Sequence, residues 1–340
     1  MSADPLNAAA LEVLRRYPRP LVGAWSGGHA PTRLQPLGNH GGFSGARLWR
    51  LDDSLCLRAW PADFPPQRLA FIHHGMIHAR SAELTFTPRL FPAIDGTTAV
   101  GYAGRLWELQ EWLPGEADYH RNPSEAKLRA ALGALARLHE CWQAILPPTS
   151  GVCPAVTRRL AVDREWRELV QSGWRPQAQA DDPARSAAER AWRLLPGRID
   201  SIPDLLRRWV DRSWPLQPCL CDVWHDHVLF DGDRVSGLID YGAMKIDHPA
   251  VDVARLLGSL VDDDLTGWAM GLTAYRETRP LSADEAELTQ TLDATGTIAA
   301  AAVWLRWLYH DGKEFEDRAA AARRLEGLTA RLERIAPQGR

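Results

Sequence analysis

The sequence predicts an α+β protein in two lobes, rich in strands first and helical afterwards. Three observations predict it. Between Arg33 and Leu113, short apolar runs alternate with glycine-containing turns, the texture of antiparallel strands. From Ser124 onward, apolar residues recur at helical spacing, as Leu128, Leu132, Leu135 and Leu138 do. Set into the helical part is one strand–turn–strand stretch, Cys219 to Gly242, with an aspartate near each end.

A chain of 340 residues is long enough for two cores. Its net charge of −3, from 40 basic and 43 acidic residues, creates no field that favours nucleic acid or an anionic membrane as partner. No apolar run approaches the roughly 20 residues of a membrane span. The stretch Met1-Ser-Ala-Asp-Pro5 lacks the basic and apolar regions of a signal peptide, so a cytoplasmic protein is expected. Cys56, Cys141, Cys153, Cys219 and Cys221 are odd in number and scattered, which reads as reduced thiols. Most of the 15 tryptophans are expected in the core.

In chain order, residues 7–17 predict a short amphipathic helix with Leu11 and Leu14 on its apolar face. Strands at Arg33–Leu37, Ala46–Leu51 and Leu55–Trp60 flank a glycine-rich turn, Gly38 to Gly45. Glycine lets the main chain approach an anion closely, and successive amides can form a nest. A plain turn accommodates the same residues. Gly42 to Gly45 also brushes against a serine-hydrolase elbow, but a strand follows where a helix is required, so that reading is rejected. Pro65–Arg80 reads as a helix that contains no acidic residue. His74 and His78 share one of its faces, and without a further ligand in view they read as solvated. Thr97–Tyr102 and Arg105–Leu113 form another hairpin, followed by Pro114-Gly115-Glu116.

Helices are then expected at Ser124–Glu140 and Val156–Gln171, and over Pro183–Trp214 in pieces interrupted by Pro196 and Pro203. Three more follow at Leu265–Thr278, Ser282–Tyr309 and Glu316–Ile335. Ser282-Ala-Asp-Glu285 is a capping-box start.

The stretch at 219–242 carries the chemistry. Asp222 precedes a strand at Val228–Phe230, Asp231-Gly232-Asp233 makes a tight turn, and a strand at Val235–Ile239 delivers Asp240. A hairpin brings the residues at its open end together, so the two carboxylates are expected to face each other with His227 between them. Such a set suits a divalent cation and a proton acceptor. A metal-dependent hydrolase built on His225-Asp226-His227 lacks further ligands at helpful spacing.

This arrangement resembles the aminoglycoside phosphotransferase and choline kinase family, relatives of the protein kinases. The resemblance implies a bilobal protein-kinase-like fold, with an N-terminal nucleotide-binding lobe over residues 1–113 and a helical catalytic and acceptor-binding lobe over 114–340. It implies that Asp222 is the catalytic base, that Asp240 in Ile-Asp-Tyr-Gly is a metal ligand, and that His227 stands where the family has a metal-binding Asn. Gly41, Gly42 and Ser44 would cover the phosphates, Arg58 would take the place of a phosphate-gripping lysine, and the backbone at Glu111 and Leu113 would meet an adenine edge. Asp247-His-Pro-Ala-Val-Asp-Val-Ala254 is similar to a family segment whose second aspartate, here Asp252, anchors the catalytic loop. The implied activity is transfer of a phosphoryl group from ATP, with Mg²⁺ or Mn²⁺, to a hydroxyl of a small molecule. The acceptor and the oligomeric state are not implied.

The chain departs from that pattern at Arg58, at Leu220-Cys221 in place of His-Gly, at His227, and in a helix 65–80 that has no glutamate. These departures keep open a second expectation, a catalytically impaired, nucleotide-binding regulatory relative.

Overall fold

The computed structural model describes residues 5–22, 34–39, 42–43 and 45–335. They pack into two compact units, one made of residues 1–145 with 226–242, the other of 146–225 with 243–340.

The first unit holds α1 (Pro5–Leu14), α2 (Arg19–Val22) and a sheet of β1 (Leu34–Gly38), β2 (Arg47–Leu51), β3 (Leu55–Ala59), β4 (Leu90–Phe91), β5 (Val100–Tyr102) and β6 (Arg105–Glu111). Its order is β1-β2-β3-β6-β4, with β5 also pairing β6, and every pairing is antiparallel. Strand alternation gives β3 two different faces. Leu55, Leu57 and Ala59 join a core with Val13, Leu14, Trp49, Trp107 and Leu109. Arg58 and its register partner Glu108 therefore lie on the opposite face. Helix α3 (Pro66–Ser81) opens with Pro66 at its first turn, where a missing N–H costs nothing. Helix α4 (Glu125–Trp142) is capped by Ser124, whose side chain accepts from the Lys127 N–H, and it buries Leu128, Leu132, Leu135 and Leu138 as their spacing predicts.

The second unit holds a three-stranded antiparallel sheet with β8 (Ser213–Cys219) central between β7 (Thr149–Val152) and the late strand at Lys245–Asp247. Its helices are α5 (Pro154–Gln171), α6 (Arg185–Ile199), α7 (Ile202–Leu206), α8 (Ala250–Leu260), α9 (Leu265–Arg276), α10 (Ala283–Tyr309) and α11 (Arg318–Arg334). Helix α10 touches α5, α6, α8 and α11, and buries Leu288, Leu292, Ile298 and Leu305 among them. The capping box expected at Ser282 and Glu285 is present.

Two local expectations are corrected. Residues 213–219 form a strand where a helix running to Trp214 was expected, and Pro196 lies inside α6 without ending it. The break falls instead at Asp200-Ser201, and Pro203 sits in the first turn of α7, where proline is tolerated. No helix among the described residues is long and apolar enough to cross a membrane.

The hairpin comprises β9 (Val228–Asp231) and β10 (Arg234–Leu238), and it packs within the first unit; the Lys245–Asp247 strand is β11. Leu238 N donates to Phe86 O at 2.7 Å, and Glu116 and Phe230 exchange backbone bonds of 2.9 and 3.0 Å. Gly115 makes this docking possible. Its φ is +97°, and a Cβ there would lie 2.2 Å from Ser236 Oγ and 2.6 Å from Phe230 O.

Candidate active site

Asp240 stands at the open end of the hairpin, which Ile239 N closes by donating to His227 O at 3.0 Å. Its backbone is left-handed, with φ of 60°, a conformation that an L residue keeps only when its surroundings impose it. Asp240 Oδ1 accepts from Arg58 Nη2 at 3.2 Å and from Gly242 N at 3.2 Å. Desolvation alone would push this carboxyl upward. The Arg58 guanidinium, His227 and the Gly242 N–H outweigh it and hold the group below the usual carboxylate range, so it is ionised at neutral pH.

The other oxygen, Oδ2, lies 3.8 Å from His227 Nε2. That is too long for a hydrogen bond. It lies within the span of two donors to one cation, whose bonds of about 2.1 Å allow separations up to roughly 4 Å. The donor set thus fits a divalent cation, with one hard carboxylate and one borderline imidazole. If His227 ligates, Mn²⁺ is expected to support nucleotide binding relatively better than Mg²⁺, because Mn²⁺ tolerates nitrogen better. His227→Asn would then move the Mn²⁺-to-Mg²⁺ affinity ratio towards Mg²⁺. An unmoved ratio in titrations of the two proteins would mean that His227 supports the loop without touching metal.

Arg58 is buried, and its guanidinium lies 4.0 Å over the Trp60 ring. Its second acidic neighbour is Glu108, directly across the ladder on β6. Helix α3 has no acid to pair with Arg58, and Gln67 within it and Glu83 just beyond it are both exposed. The acid comes from a strand instead. Glu108 is 1 % exposed; its Oε2 accepts from Trp60 Nε1 at 2.8 Å and lies 2.7 Å from Nε2 of His73, which projects from α3. Nearby, Arg68 from the first turn of α3 donates to Gly242 O at 2.8 Å. His74 is exposed and His78 half-buried, in keeping with a solvated face.

Gly41 and Ser44 lie outside the described residues. Gly42 donates its N–H to Asn39 O at 2.8 Å, and Gly38 and Gly45, at φ of 63° and 78°, bracket the turn with left-handed backbone. The Glu111 N–H is engaged by Arg89 O at 2.8 Å, and its carboxylate pairs with Arg80 at 3.2 Å. Leu113 is buried and packs where a Cβ on Gly237 would come within 3.0 Å of it.

Asp222 belongs to the second unit. It follows β8 on a loop whose shape is set by Asp252 in the first turn of α8. Both oxygens of this fully buried carboxylate accept backbone N–H groups, Leu220 N at 2.6 Å and Cys221 N at 2.6 Å. Cys221 has a φ of 63°, and it stands where the resembled pattern has glycine. The loop therefore keeps a glycine-like turn without glycine, held by a carboxylate. Arg255, one turn further along α8, donates to Asp222 Oδ1 at 2.7 Å and orients it. Asp247 is fully buried too, accepting from Ala155 N at 3.2 Å and His248 N at 2.8 Å and pairing with Arg158. Cys219 and Cys221 are free thiols, and burial pushes both well above the ordinary thiol value.

Sequence reading missed Glu108, His73, Trp60 and Arg255. The only early signal for the first was the pairing of the strand at 55–60 with that at 105–113.

A strand-borne cation held against a hairpin-end aspartate, and a loop aspartate anchored by a buried carboxylate, define a kinase-like class of protein. Solved structures agree on the α+β protein-kinase-like fold. Spectinomycin phosphotransferase in complex with ADP and spectinomycin superposes with a TM-score of 0.65 at 11% identity, covering 96% of this chain and 98% of that one. A choline/ethanolamine kinase family protein from Mesorhizobium loti gives 0.58 at 15% identity, covering 98% and 96%. Amicoumacin kinase in complex with AMP-PNP, Ca²⁺ and its ligand gives 0.59 at 12%, covering 96% of each.

The model of the phosphotransferase enzyme family matches residues 36–289, and the chain belongs to that family. Among curated relatives, homoserine kinase of Brucella anthropi is 28% identical over 214 residues, 58% of this chain and 56% of the relative. Homoserine kinase of Sinorhizobium fredii is 26% identical over 227 residues, 62% and 60%. The chain thus spans somewhat more than half the length of these relatives.

Proposed function

We propose that this protein is an ATP-dependent phosphotransferase that acts on a hydroxyl of a small molecule. The observation that carries this reading is Asp240, kept ionised at the hairpin end between Arg58 and His227. A divalent cation bound there supplies charge neutralisation for the nucleotide phosphates. Asp240 and His227 hold that cation, Arg58 grips phosphate through a planar fork suited to bidentate contact, and the Gly38–Gly45 turn offers backbone amides. Asp222, oriented by Arg255, takes the proton of the attacking hydroxyl on its carboxylate. Leu113 offers backbone to the adenine edge, since the Glu111 N–H is already engaged. Most of the rate then comes from positioning and charge, and little from covalent chemistry by the protein.

The relatives named as homoserine kinases support a small hydroxyl acceptor, and the neighbours solved with ADP or with AMP-PNP and Ca²⁺ support nucleotide and divalent cation. Isothermal calorimetry with ATP and either Mg²⁺ or Mn²⁺ is the test. Saturable, cation-dependent binding is expected, together with a rise in melting temperature, because a ligand of the folded state alone stabilises it. No binding with either cation would remove the reading.

A second reading, a nucleotide-binding relative impaired in catalysis, is favoured by one observation: Arg58 is already paired with Asp240. Cation-dependent binding without turnover on any hydroxyl of an acceptor panel would favour it.

A further inference from the structure

We propose that Glu108, His73 and Trp60 are positioning residues for Arg58, a buried relay that takes over the task of the helix-borne acid in the kinase pattern. The inference rests on the phosphotransferase reading and names what builds its phosphate clamp.

Arg58 and Glu108 are opposite each other in the β3–β6 register, so their side chains leave the same face of the sheet. Trp60, two residues along, faces the same way, and its indole N–H reaches Glu108 Oε2 at 2.8 Å. The ring of that indole lies under the Arg58 guanidinium at 4.0 Å. Glu108 therefore acts on Arg58 twice, as a counter-charge across the ladder and by aiming the aromatic platform on which the guanidinium rests. His73 completes the relay from α3. Its Nε2 is 2.7 Å from the same Oε2, and its Nδ1 is 2.7 Å from Thr98 Oγ1. With Nε2 protonated the ring donates to the carboxylate, and the Thr98 hydroxyl can serve Nδ1 as donor or acceptor.

The charge arithmetic explains why a second acid is needed. Arg58 now shares its charge between Asp240 and Glu108. When Asp240 serves a cation, Glu108 remains as the fixed partner that keeps the guanidinium in place. Burial would push the Glu108 carboxyl upward, but His73, Arg58 and the Trp60 N–H together hold it below its ordinary value, so the counter-charge is present at neutral pH. This arrangement also accounts for an α3 without a glutamate: the helix is tied to the sheet through an imidazole.

The test compares a ligand with phosphates to one without. Affinities for AMP-PNP with Mg²⁺ and for adenosine are measured by calorimetry in the wild type and in E108Q, H73L, H73Q and W60F. E108Q and H73L are expected to weaken AMP-PNP by about tenfold, the effect of losing one charge-assisted bond, with adenosine unchanged. H73Q, whose amide N–H can still donate to Glu108, is expected to recover most of the loss. A ratio of AMP-PNP to adenosine affinity that stays at the wild-type value in E108Q and H73L overturns the relay. Should those two variants not fold, W60F carries the test, since it keeps an aromatic ring beside the guanidinium while removing the indole N–H that reaches Glu108. About threefold weaker AMP-PNP is expected there, and an unmoved ratio overturns the inference. A wild-type protein that binds neither ligand overturns the phosphotransferase reading, and the relay with it.

Discussion

Asp222→Asn is expected to lower turnover by about 10²- to 10⁴-fold, the usual worth of a positioned general base, while nucleotide affinity stays nearly constant. The loop explains the selectivity. Asp222 is about half exposed and accepts from the Arg255 guanidinium at 2.7 Å, so an amide of the same shape can be housed there without a buried charge being stranded. What the substitution removes is the carboxylate proposed to take a proton from the acceptor. Asp240→Asn provides the contrast. It removes the carboxylate that Arg58 and Gly242 hold at 3.2 Å, and with it the anionic donor proposed for the cation, so metal-dependent nucleotide binding should suffer first. The measurement is steady-state kinetics beside binding titrations for both variants, read as separate effects on kcat and on affinity. Small and equal effects of the two substitutions would mean that the roles have been wrongly divided.

The largest loss of stability is expected from Asp252→Ala. Two backbone N–H groups, of Leu220 and Cys221, each end at 2.6 Å on this fully buried carboxylate. Hydrogen bonds to a charged acceptor contribute about 1.5–3 kcal/mol each, and a buried donor left without a partner costs a comparable amount. Discounting for water that can enter the space, a loss of about 3 kcal/mol is expected. Cys221 adds to this, because its left-handed backbone, φ of 63°, would lose the bond that helps to hold it. Urea unfolding of the second unit's signal is the check. A midpoint unchanged from wild type would show that the loop holds its shape without Asp252.

Local signals carried much of the fold. The hairpin at 228–238 was readable from two apolar runs about a polar turn, α4 from its leucine spacing and Ser124, and α10 from its capping box. The segment from Asp247 to Ala254 pointed to Asp252, whose carboxylate does hold the preceding loop. What was not readable depended on tertiary pairing. Strand β8 contains Pro215 and Pro218, and proline removes a ladder donor, so propensity argues against a strand there; the flanking β7 and β11 supply the reason it forms. Pro196 stays inside α6 because the buried face of Ala188, Ala191, Leu195 and Ile199 packs on through it. Glu108 was invisible as a partner of Arg58 for a similar reason. The two are fifty positions apart, and only the register of β3 against β6 sets them side by side.

The first unit is discontinuous, residues 1–145 being joined by 226–242, and this has a consequence for the order of events on the ribosome. When residue 145 has emerged, the sheet and α4 are available, but their partners on the hairpin are not. Phe86 O, the Glu116 backbone and the space beside Gly115 wait for Leu238, Phe230 and Ser236. Roughly ninety further residues must be synthesised before they arrive, at about 5–20 per second. Throughout that interval Arg58 lacks Asp240, and a nascent chain that has finished its sheet still carries a strand arginine without the hairpin-end carboxylate that pairs with it.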